Sequence, residues 1–154
     1  MNRPVFKRII AAGVLCGTLD AAAASLQYYI RTGNSPARVF RYIASALHGS
    51  SALTGGSTTA IEGLLLHYLI ALTFTGIFFM IIRLLPGLLR SLHFTAILYG
   101  CFIWSVMNLI VVPCSRIPLR PFQWDQALIA AGILIICFGI PLTLMAKKNY
   151  IYRK

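Results

Sequence analysis

Apolar residues in this chain come in four long runs parted by short polar segments. A bilayer core of about 30 Å takes roughly 20 residues of helix, at about 1.5 Å per residue. Runs over residues 9–30, 63–82, 94–113 and 127–146 meet that length. Polar interruptions are few: Asp20 in the first, His67 in the second, Asn108 in the third, and no ionisable group in the fourth. Gly76, Gly100, Gly132 and Pro141 inside the runs are ordinary in membrane helices. The pattern predicts an all-α polytopic membrane four-helix bundle, one integral membrane domain over residues 1–154.

The connection between the first two runs carries its own signals. Ser35 followed by Pro36 reads as an N-cap with proline at the first helical position, and Gly49 as a stop. Between them Val39, Phe40, Ile43, Ala44 and Leu47 share one helical face, and Arg38, Arg41, Ser45 and His48 share the other. This predicts a short amphipathic interfacial helix over 36–48, lying on the outer membrane surface. Arg38, Arg41 and His48 become candidate lipid-headgroup contacts. Residues 50–60, rich in Ser, Thr and Gly, read as a flexible return loop or, alternatively, as a lid hinged at Gly55-Gly56. No Gly-Lys-Ser/Thr follows, so a phosphate-cradling loop is not indicated.

Composition points to the same solvent. Of 154 residues, 58% are hydrophobic and 11% charged, whereas a soluble domain carries about 25% charged residues. That leaves too little polar surface to cover a water-soluble globule. The net charge of +11 raises nucleic acid as a partner, but the basic residues are scattered between apolar runs and form no face. They suit membrane flanks, where anionic lipid attracts them. None of Cys16, Cys101, Cys114 and Cys137 lies in a C-x-x-C pair, so no metal site or dithiol relay is indicated, and no cofactor is expected.

Lysine and arginine in the flanks set the expected orientation. One side has Arg3, Lys7, Arg8, Arg83, Arg90, Lys147, Lys148, Arg153 and Lys154. The other has Arg31, Arg38, Arg41, Arg116 and Arg120. The excess predicts a multi-pass protein of the cell (inner) membrane with both termini cytoplasmic. Tyr28, Tyr29, Trp124, Tyr150 and Tyr152 fall at the expected interfaces. A cleaved signal peptide over residues 1–23 is the rival for the first run, with Ala21-Ala22-Ala23 as its small-residue site. Asp20 interrupts that apolar core, and apolar character resumes through Ile30, which favours a retained span.

Charged groups inside a bilayer cost at least about 2.5 kcal/mol on insertion scales and usually face the bundle interior. Asp20 lies near the expected midplane, and Gln27, His67 and Asn108 lie between there and the outer face. Stripes at spacings of three and four contain them: Gly13, Gly17, Asp20, Ala24, Gln27 and Arg31 on the first span; Thr59, Gly63, His67, Ala71 and Thr75 on the second; Cys101, Ser105, Asn108 and Val112 on the third. The three stripes are expected to face one another, with the fourth span peripheral. Asp20, Gln27, His67 and Asn108 are thus the candidate intramembrane polar site. Asp20 reads as a proton or cation carrier, or as a neutral buried carboxyl in a helix contact. His67 and Asn108 read as titrating or interhelical hydrogen-bonding groups. Glu62 and Asp125, at helix N-termini, need only the helix dipole to explain them.

Over residues 60–115 the chain resembles uncharacterised bacterial inner-membrane proteins of the YagU family. The likeness lies in a His in the first turns of one span (Gly63-Leu64-Leu65-Leu66-His67), an apolar run closing on Leu84-Leu85-Pro86, and a next span with Tyr99-Gly100 and a polar residue before proline (Asn108 to Pro113). That last position can be His in the family, so Asn108 departs from the pattern and carries over no proton chemistry. The resemblance implies topology and no established activity.

No triad, carboxylate pair or nucleophile elbow is visible, so an enzyme is not expected. Two classes remain: a protein binding or transporting a small solute or proton through an outward-facing polar pocket, and a structural or accessory subunit whose polar residues only set helix packing. Expected partners are the lipid bilayer and a second copy or another membrane protein.

Overall fold

The computed structural model describes residues 3–118 and 121–151, with side chains over 6–118 and 121–148. Arg120, Tyr152, Arg153 and Lys154, and the side chains of Arg3 and Tyr150, fall outside these. Every regular element among the described residues is helical. α1 covers Arg3–Thr32, α2 Ala37–His48 and α3 Ser57–Leu84. α4 covers Leu92–Cys114 and α5 Trp124–Lys148. All but α2 are long and apolar enough to cross a membrane. Leu65, Leu69, Leu109 and Leu128 are each more than 60% exposed. Bare leucine on so many faces is affordable only in lipid, so the chain is a multi-pass membrane protein. The four spans alternate in direction, which puts the start of α1 and the end of α5 at one end and α2 at the other.

Where the chain leaves α2, Gly49 takes φ 67°, a left-handed value that favours glycine. The stop is therefore the one expected, but the loop is not. Residues Gly49–Thr54 form a 3-10 helix and α3 starts at Ser57. Only Gly55-Gly56 remains as connection. α2 is also held more firmly than a helix floating on lipid. A Cβ on Gly63 would lie 1.8 Å from the Phe40 carbonyl oxygen, so the two backbones touch. Ala44 and Ser45 are fully buried. Ser45 and Arg41, expected on the solvent face, turn toward the protein.

The span–span contacts depend on small residues, as membrane helix packing does. Gly13 and Gly17 of α1 receive Leu72 and Tyr68 of α3. Gly100 of α4 lies on the Ile135 backbone, and Gly139 of α5 lies on that of Ala96. These antiparallel contacts bring α5 against α4, and α5 also packs on α1. The fourth span is thus central rather than peripheral: it stands between the first and third. The third touches the second mainly through aromatics, with Tyr99 donating its hydroxyl to the Phe74 carbonyl and its ring 4.8 Å from that of Phe78.

Two prolines shape α4 and α5. Proline lacks an N–H and clashes with the carbonyl four residues back. Ahead of Pro113 and Pro141 the helix widens into π turns at Met107–Val111 and Ile135–Gly139. The residue before each proline donates five back, Val112 to Met107 and Ile140 to Ile135.

Candidate intramembrane polar site

His67 sits ten residues into α3, and Asp20 twelve residues from the end of α1. At helical rise these are about 15 and about 18 Å from the α2 end. Because α3 begins at Ser57, ahead of the apolar run, His67 lies within about 3 Å of the level of Asp20. Its Nε2 is 2.9 Å from the Gly17 carbonyl oxygen. A carbonyl only accepts, so Nε2 carries the hydrogen, and Nδ1 is the ring nitrogen left without that bond. Glycine at 13 and 17 makes this possible, since it lets α3 approach the α1 backbone. The Phe40 ring of α2 meets the His67 ring edge-on at 6.5 Å and covers it from the α2 end.

The Asp20 carboxylate is half-buried within electrostatic reach of His67. It has no hydrogen-bond partner among the described residues. Cys16 and Cys137 are buried and unbridged close by. Beside this pair Thr18 donates to the Val14 carbonyl, so its oxygen accepts from Tyr68, at 2.8 Å. The result is one acid and one base across the α1–α3 seam, capped by an aromatic ring. No group of three metal-ligating side chains gathers anywhere among the described residues.

Gln27 and Asn108 lie elsewhere. Gln27 Nε2 donates to Gln126 Oε1 of α5 at 2.9 Å. Asn108 is exposed and donates to the Trp104 carbonyl of its own helix at 2.8 Å. The four polar candidates therefore form one pair, one outer link and one lipid-facing amide. No family model, curated protein or solved structure matches the chain.

The basic residues of α2 also divide. His48 Nε2 bonds Glu62 Oε2 at 3.0 Å, and Arg41 Nη1 donates to the Gly55 carbonyl at 2.9 Å while its buried Nε has no partner. Arg38 is exposed. Arg116 donates to the Ala46 and Leu47 carbonyls, which ties the end of α4 to the end of α2. Tyr68, Gln123 and Gln126 were not singled out by the sequence. Polar groups at a span end, and a Tyr beside a His, look like interfacial residues until their partners are known.

Proposed function

We propose that this chain binds or moves a proton, or a small solute carrying one, in the membrane, with Asp20 as the acceptor and His67 beside it. One observation supports this above the rest: a carboxyl group at mid-span, half-buried, with no hydrogen-bond partner among the described residues. A carboxylate serving only as helix glue would be bonded across to a neighbour. With Nε2 held by Gly17, Nδ1 is the His67 nitrogen left to face a ligand in this reading. In this reading the Phe40 ring, which covers His67 from the α2 end, must move aside for access. The excess of Lys and Arg at the termini end supports an inner-membrane protein with cytoplasmic termini, in line with the YagU-like pattern. At this size, a second copy would help to complete a pathway.

The test is proton flux into proteoliposomes holding a pH-sensitive dye, driven by a potassium diffusion potential. Wild-type protein should carry protons, and Asp20→Asn should abolish the flux at equal reconstituted amounts. Equal flux from both, or a variant that fails to accumulate, overturns the assignment.

A second reading has its own support: the His67–Gly17 bond is itself an interhelical tie. In a structural or accessory subunit Asp20→Asn is tolerated, and crosslinking in membranes traps one specific partner protein. Recovery of a uniform monomer counts against it.

A further inference from the structure

At the α2 end, between α1 and α5, lies an open groove of about 540 Å³. Leu26 of α1 and Ile129 of α5 are among its aliphatic walls, and Arg31 and Asp125 stand at its mouth. The order follows from register. α1 ends where α5 begins, so the polar last turn of one faces the polar first turn of the other. The aliphatic residues one turn further in then face each other.

Arg31 and Asp125 have opposite charges, yet they do not pair. Among the described residues the one ion pair within bonding distance is His48–Glu62. Arg31 Nη2 instead donates to Gln123 Oε1 at 2.8 Å. Asp125 Oδ2 accepts from Gln126 Nε2 at 2.8 Å, and Gln126 in turn accepts from Gln27. Gln123 and Gln126 thus each engage one of the two charges, and Arg31 and Asp125, unbonded to one another, stand within electrostatic reach across the mouth of an apolar groove, at the level where a span meets headgroups.

We infer that this groove binds a phospholipid whose headgroup carries a primary amine. Its phosphate lies on Arg31, its ammonium on Asp125, and an acyl chain runs along Leu26 and Ile129. A primary ammonium offers N–H donors to the carboxylate. A trimethylammonium offers none, and an amine-free anionic headgroup leaves Asp125 facing negative charge. The site is separate from Arg38, Arg41 and His48, two of which are engaged within the protein.

The experiment is native mass spectrometry of the purified chain released from nanodiscs of phosphatidylethanolamine, phosphatidylcholine and phosphatidylglycerol with identical acyl chains. Wild type should retain phosphatidylethanolamine roughly tenfold over the other two, the scale of one hydrogen bond to a charged group. Asp125→Asn should level phosphatidylethanolamine with phosphatidylcholine, and Asp125→Glu should keep the preference. Arg31→Gln should lower retention of all three, and Ile129→Trp, which fills the groove, should do the same. Arg38→Gln should change nothing. An unchanged preference in Asp125→Asn, a lost one in Asp125→Glu, equal retention of phosphatidylglycerol by wild type, or full retention by Ile129→Trp overturns the assignment. If Asp125→Asn melts below wild type in detergent, Asp125→Glu and Ile129→Trp decide it.

Discussion

His67 donates from Nε2 to the Gly17 main-chain carbonyl across 2.9 Å, and that bond fixes which ring nitrogen is engaged. It also joins α1 to α3 at mid-span. Interhelical hydrogen bonds in membranes average about 0.6 kcal/mol and reach about 1.7. His67→Ala should therefore lower unfolding free energy in mixed micelles by about 1 kcal/mol. His67→Gln, which keeps an N–H donor, should lose less. Equal losses would mean that the bond contributes nothing and packing everything.

α2 is docked by backbone contact, not by charge. His48 and Glu62 are both about half exposed, and such pairs contribute less than about 1 kcal/mol. Glu62→Gln should barely shift the melting temperature. Gly63→Ala drives a methyl into the Phe40 carbonyl, and overpacking of this kind costs about 1–3 kcal/mol. It should also open α2 to limited proteolysis, which Glu62→Gln should not.

The glycines of the spans separate into two groups. Gly100→Ala or Gly139→Ala should part α4 from α5, with a similar cost of about 1–3 kcal/mol, because each Cβ would meet backbone closer than 3 Å. Gly76 and Gly132 have nothing within 4 Å of an added Cβ, so alanine there should be neutral or slightly stabilising through its helix propensity. Thermal melts of the four variants in one detergent distinguish the groups.

Asn108→Leu should leave stability unchanged or raised, since the amide faces lipid and bonds only its own helix. Proton flux should be untouched. A loss of flux in this variant would restore Asn108 to the working site.

These residues also mark how far the sequence could be read. The long apolar runs gave the spans, and Ser35, Pro36 and Gly49 gave α2, because length, periodicity and turn chemistry are local. α3 runs six residues ahead of the apolar run, from Ser57 to Glu62, because a membrane-length window marks only the apolar part of a helix that continues against α2. Asn108 stands apart from Asp20 and His67 although its position on a polar stripe points inward, because its amide is served by its own helix. A side chain that bonds a carbonyl four residues back meets its need for a partner there. The central position of α5 was hidden because polar residues were used to locate interfaces. Its contacts are made by Gly100, Ile135, Ala96 and Gly139, and small residues carry no label naming their neighbour.

The widened turns before Pro113 and Pro141 bear on tolerance to insertion and deletion. Each holds one residue more than the plain turn it replaces. Removing one residue within 107–111 or 135–139 would return the helix to ordinary winding and leave the faces on either side where they are. The proline would then stand in an unrelieved turn and kink the helix. A single deletion ahead of Gly100 in α4, or between residues 124 and 134 of α5, would swing every residue beyond it by about 100°, turning the seam of Gly100 and Gly139 away from its present contact. The chain thus has two places where its length can change by one without scrambling a face, and both lie next to its helix prolines.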